Sequence, residues 1–155
     1  MGKDNRINKN ILIAVDESDN ARRAVDYVAQ MLGGIEGFFI CIMHVIGEPE
    51  EDFFPDNSEK IKWLNEYKKK IDTILQDYRK ILINAGFHEN NVKVRSVLRY
   101  CPSMAECIMA ERDKIKYDTI VLGRQGISRD EEFLFGSVSS KIVGHARDFT
   151  VWVVQ

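Results

Sequence analysis

The chain has 155 residues, 45% of them apolar, with 22 basic against 24 acidic side chains and a formal net charge of -2. That length suits one compact domain over residues 1–155, burying roughly 70% of the surface of the unfolded chain, and the ordinary apolar content and balanced charge exclude a disordered chain. No basic excess is present to drive nucleic-acid binding, the longest apolar run (Phe38 to Ile46, interrupted by His44) is far short of the ~20 residues of a membrane helix, and the polar start Met1 to Arg6 has no apolar core behind it, so a cytoplasmic protein is expected.

Ile11-Leu12-Ile13-Ala14-Val15 is a continuous apolar run ended by Asp16. Its length and β-branching predict a strand buried on both faces. Ser18 or Asp19 then caps a helix in which Ala21, Ala24, Val25, Val28, Met31 and Leu32 recur at helical spacing, and Gly33-Gly34 ends it. Phe38 to Val45 predicts a second buried strand. Within it, Cys41 reads as a small buried hydrophobe and His44 as a packed histidine. Gly47 to Asn57, with two prolines and several acids, predicts a loop.

A long helix follows. Ile61, Leu64, Tyr67, Ile71, Ile74, Leu75, Tyr78, Ile81 and Leu82 form one apolar stripe about seven turns long, with some curvature or a break expected along it. Lys68-Lys69-Lys70 crosses its solvated face, and Gly86 ends it. Val92 to Leu98 alternates, with Val92, Val94 and Ser96 on one side and Lys93, Arg95 and Val97 on the other, as in a half-exposed strand near a sheet edge. Pro102-Ser103 opens a third helix carrying Ala105, Ile108, Met109 and Arg112. Thr119 to Leu122 is a fourth strand, a glycine-bearing segment runs from Gly123 to Gly136, Ser137 to Ala146 is a fourth helix with Val138, Ile142, Val143 and Ala146 inside, and Thr150 to Val154 is a fifth strand. Cys41, Cys101 and Cys107 are odd in number and lack Cys-x-x-Cys spacing, which predicts structural thiols rather than a disulfide framework or a zinc site. His88 and His145 have no partners at metal-ligand spacing.

Strict alternation of buried strands and helices predicts a parallel sheet covered by helices on both faces. Ligands of such sheets bind outside the carboxyl ends of the strands, here after Val15, Val45 and Leu122. At the last of these lies Gly123-Arg124-Gln125-Gly126, nine residues, then Gly136-Ser137. Glycines let backbone amides approach an anion, and a helix starting at Ser137 adds unpaired N–H groups. Ser137 and Ser139 are candidate hydroxyl donors, and Arg124 is a counter-charge. The pattern reads as a phosphate cradle, with loop shaping and close helix packing as the alternative use of the same glycines. It is neither a Walker A loop nor Gly-x-Gly-x-x-Gly.

The Gly-x2-Gly-x9-Gly-Ser pattern with Val138-Ser139 behind it resembles the nucleotide motif of the universal stress protein family. Ile11 to Ser18 is similar to that family's first strand and its acidic end, His44-Val45 to the end of its second strand, and Asp118 to Gly123 to its fourth. The resemblance implies a Rossmann-like, three-layer α/β/α domain (adenine nucleotide alpha hydrolase-like) with a five-stranded parallel sheet in the order 3-2-1-4-5. It implies the family's ATP-binding branch, a homodimer joined through the last strand, and a stress-response role exercised through protein partners. Ala14, Val15 and Asp16 would line the nucleotide site, with Asp16 near the ribose or phosphates, and the Val45 main chain would meet adenine. Gly123, Arg124, Gly126, Gly136, Ser137, Val138 and Ser139 would hold ribose and phosphates. Mg2+ carried on the phosphates would offset Asp130, Glu131 and Glu132. No catalytic base stands out, so slow ATP hydrolysis, or autophosphorylation at Ser137 or Ser139, is the most enzymatic reading, and a dimeric interaction protein that keeps the motif without binding nucleotide is the other alternative.

Overall fold

The computed structural model describes residues 8–16, 19–47, 53–99, 103–123 and 137–155. Five strands, β1 (Asn10–Ala14), β2 (Phe39–Gly47), β3 (Val92–Arg99), β4 (Thr119–Gly123) and β5 (Thr150–Val154), alternate with four helices, α1 (Asp19–Leu32), α2 (Asn57–Asn84), α3 (Met104–Ile115) and α4 (Ser137–His145). The strands form one parallel sheet in the order β3-β2-β1-β4-β5, the order that the sequence resemblance implies.

Central β1 shows why its run is apolar at every position. Ile11 and Ile13 face α1 and α2, among Val25, Val28, Ile42, Leu75 and Leu82. Leu12 and Ala14 face the other way, among Met43, Ile108, Ile120 and Ile142 beneath α3 and α4. Period-two geometry thus divides one strand between two cores, and neither face can carry a polar residue. Edge strand β3 alternates between buried or half-buried Val92, Val94 and Ser96 and exposed Lys93 and Arg95, as its pattern predicts.

The long helix runs unbroken for 28 residues. Asp56 caps it, accepting from the Glu59 amide at 2.9 Å and from the Ser58 hydroxyl at 2.6 Å. The Ser58 bond, and then the amide, hold the Asp56 carboxyl below its ordinary value. Its apolar stripe is buried only in the second half, at Ile71, Leu75, Tyr78 and Leu82. Ile61 is 56% exposed, and Leu64 and Tyr67 are half-buried. The helix spans about 42 Å at 1.5 Å per residue, longer than the strands it covers, and its first half faces Ile46, Ser96 and Leu98 across a groove rather than packing closely on them. Two further residues expected inside are exposed, Met31 of α1 at 53% and Val143 of α4 at 42%, whereas Glu111 of α3, outside the expected stripe, is 1% exposed.

At the amino end of the sheet two turns interlock. Gly86 has φ 112°, and a Cβ there would lie 2.8 Å from the Gly34 amide nitrogen. A Cβ on Gly33 would meet the Ala85 carbonyl oxygen at 2.4 Å. Only glycine satisfies both the backbone angle and the close approach at Gly86.

The cysteine expectation holds in part. Cys41 is a free thiol, buried as predicted, whereas Cys107 is disulfide-bonded. An odd count excludes complete pairing, not a single bridge. Burial raises the Cys41 thiol above its ordinary value of 9.0, against the opposing effect of a hydrogen bond with the Tyr117 hydroxyl. Burial, and next the charge of Cys41, push the Tyr117 phenol well up. Both acids are held in their neutral forms. Their contribution to stability is therefore complete below pH 9 and is lost as pH rises beyond it. The urea midpoint should be level between about pH 7 and 8.5 and fall by about pH 10.5. A midpoint unchanged over that alkaline range would refute this.

Candidate functional site

The carboxyl ends of β1, β2 and β4 open into a small cleft of about 70 Å3. Ala14, Val15 and Asp16 form its floor where β1 ends, beside Met43, His44 and Val45 of β2 and Leu122 and Gly123 of β4. The Val15 amide donates to the Met43 carbonyl at 2.9 Å, which carries the β1–β2 pairing one residue past the end of β1. Asp16, the first polar side chain after this run, is half-buried at the floor.

Helices make the walls. Met104 and Ile108, one turn apart on α3, supply an apolar side, and Ala21 on α1 leaves room opposite. Val138 and Ser139 bring the first turn of α4 to the cleft, with Ser139 2% exposed. The amides of that turn are free of intrahelical partners by the geometry of any helix start. The two walls are tied together between the amino end of α3 and the middle of α4. Ser103 caps α3, accepting from the Glu106 amide at 3.3 Å. Lys141 of α4 donates to the Ser103 hydroxyl at 3.1 Å and lies 3.8 Å from the Glu106 carboxylate.

Gly123 has a packing reason to be glycine. A Cβ there would lie 2.3 Å from the Asn20 carbonyl oxygen and 2.8 Å from the Ala21 amide nitrogen, both backbone atoms of α1. The end of β4 and the start of α1 touch through main chain alone.

Behind the cleft, buried His44 begins an aromatic series. Its ring meets Tyr67 at 6.2 Å, Tyr67 stacks on Trp63 at 5.1 Å with planes 5° apart, and Trp63 meets Phe54 at 5.6 Å. The packed reading of His44 therefore stands.

Of the candidate residues, Ala14, Val15, Asp16, Val45, Gly123, Val138 and Ser139 line this one cleft. Ser137 is the first residue of α4. Arg124, Gly126 and Gly136 lie outside the described residues, as do Asp130, Glu131 and Glu132. Sequence reasoning missed the α3 wall. Its signal was the pair Met104 and Ile108 at helical spacing straight after the Ser103 cap, at the helix end nearest the strand termini. The described residues contain no group of three or more metal-ligating side chains and no helix long and apolar enough to cross a membrane. Chemically, the cleft offers a flat apolar group the α3 side and an anion the α4 side.

Comparison with known proteins agrees with this architecture. The model of the universal stress protein family matches residues 8–155. The universal stress protein Rv1636 of Mycobacterium tuberculosis is 27% identical over 142 residues, covering 90% of this chain and 91% of that protein. Among solved structures, the universal stress protein UspA of Lactobacillus plantarum aligns with a TM-score of 0.77 at 20% identity, over 97% of this chain and 100% of that one. The universal stress protein of Archaeoglobus fulgidus in complex with dAMP aligns with a TM-score of 0.58 at 20% identity, over the same shares.

Proposed function

The chain belongs to the universal stress protein family, and on that premise we propose that it is a single-domain module that binds ATP in the carboxyl-edge cleft and acts in the stress response through the loaded state. The observation that carries this reading is the pairing of two unlike surfaces in one cleft. Met43, Met104 and Ile108 offer an apolar slot for a base. The first turn of α4 offers amide donors and a positive helix end for phosphates. The dAMP complex of the Archaeoglobus fulgidus relative supports an adenine nucleotide as the ligand class.

In this reading the Val45 main chain meets the adenine edge, Asp16 meets the ribose, and Ser137, Ser139, Arg124 and the motif glycines Gly123, Gly126 and Gly136 hold ribose and phosphates. Mg2+ would ride on the phosphate oxygens, where its charge offsets Asp130, Glu131 and Glu132. β5 lies at the sheet edge, and its half-buried Val151, Trp152, Val153 and Val154 suit a second copy as cover, giving a homodimer.

Calorimetric titration with Mg-ATP, with AMP and GTP as controls, tests the reading. Micromolar binding selective for ATP is the expected result. An absence of heat at millimolar ligand would make the cleft inherited architecture, with function residing on the surface instead.

A further inference from the structure

The sheet edge opposite β5 carries a different surface. Among the described residues β3 pairs with β2 alone, so alternate N–H and C=O groups along it point away from the ladder. At the start of this edge Arg79 of α2 donates to the Val92 and Glu89 carbonyls, at 3.0 and 2.8 Å. Beyond that clamp a groove of about 310 Å3 runs between β3 and the first half of α2. Its apolar lining includes Ile61, 56% exposed, and Leu98, 47% exposed. Ser96 faces the same way, donating to Asp72 of α2 at 3.1 Å, and Lys68 stands at the rim.

The other face of the same strand is cationic. Arg95 bridges to Glu111 at 3.2 Å and stays 41% exposed, Lys114 pairs with the second oxygen of Glu111, and exposed Lys93 lies two positions before Arg95 on the same side. Residues 57–99 hold ten basic and five acidic side chains in a chain whose net charge is -2.

We propose that β3 is a docking edge for an extended acidic segment of a protein partner, which adds as a strand and alternates apolar with acidic side chains. The alternation follows from the pleat. A strand laid along β3 sends every second side chain to the α2 side, into the groove at Ile61 and Leu98, and the others toward Lys93 and Arg95. Charge selects this occupant. A second copy would set the same basic edge against itself. An anionic bilayer needs protruding apolar groups, whereas these line a concavity. The proposal stands apart from the nucleotide reading, since the groove shares no lining residue with the cleft.

The test uses the full chain and a dye-labelled heptapeptide of alternating valine and glutamate, read by fluorescence anisotropy. Saturable binding is expected, about tenfold weaker for Ile61→Asp and for Lys93→Glu, both exposed positions whose thermal melts should match the parent. Absence of saturable binding would overturn the proposal. So would equal binding of a valine–lysine peptide, or affinity indifferent to both substitutions. Two further results would also overturn it by naming another occupant. One is sedimentation with phosphatidylserine vesicles that Ile61→Asp abolishes. The other is self-association in light scattering that the same substitution reduces.

Discussion

Gly123→Ala should lower the thermal midpoint of the ligand-free protein by roughly 5–10 °C, equivalent to about 2–3 kcal/mol. The added methyl would meet the Asn20 carbonyl oxygen at 2.3 Å, far inside van der Waals contact. The obstacle is backbone at the start of α1, so no side-chain rotation relieves it. Either β4 and α1 separate or the first turn of α1 shifts. Both movements open the interface of Val121 with the α1 core. Calorimetric melting without nucleotide checks this. An unchanged melt with lost ATP binding would assign Gly123 to phosphate contact alone. A lowered melt shows that the first glycine of the motif serves packing whether or not a ligand is present.

The second large effect lies on the opposite wall. Met104→Asp should weaken ATP binding by roughly thirty- to hundredfold, about 2–3 kcal/mol, because it replaces apolar lining of the cleft with a carboxylate. Stability should change little. Met104 is 39% exposed and is the first residue of α3, where a negative charge interacts favourably with the helix dipole. Titration calorimetry beside a thermal melt separates the two quantities. Retained affinity with an unchanged melt would remove the α3 wall from the site and move the base toward β2.

The fold was legible because every strand except β3 has a nearly continuous apolar run, and the breaks between elements carry glycine, proline or a capping residue. Ser103 and Gly86 sit where the predicted helix boundaries put them. The floor of the cleft was legible too, since Ala14 to Asp16, Val45 and Gly123 mark strand ends by a change of chemistry. Burial along α2 was not. Ile61 and Ile71 belong to one stripe by period, yet one is exposed and the other 1% exposed, because the first half of the helix faces the sheet across a groove while the second half packs closely on it. Glu111 was hidden for the converse reason. A carboxylate is expected outside, and its burial depends on Arg95 and Lys114, one of them on another element, arriving at its two oxygens. The Cys107 bridge escaped because an odd cysteine count without Cys-x-x-Cys spacing argues against a framework, not against one bridge.

The interlocked turns at Gly33-Gly34 and Gly86 bear on where this chain can accept new sequence. With backbone meeting backbone at 2.4 Å from a would-be Cβ, a residue inserted into either turn would have to displace the other. The α1–β2 and α2–β3 connections therefore vary together or stay fixed, and fusions or circular permutation at this end would disturb two connections for one cut. The sheet is thereby given one end that resists remodelling, and changes in length are directed to the end where the strands open onto the cleft.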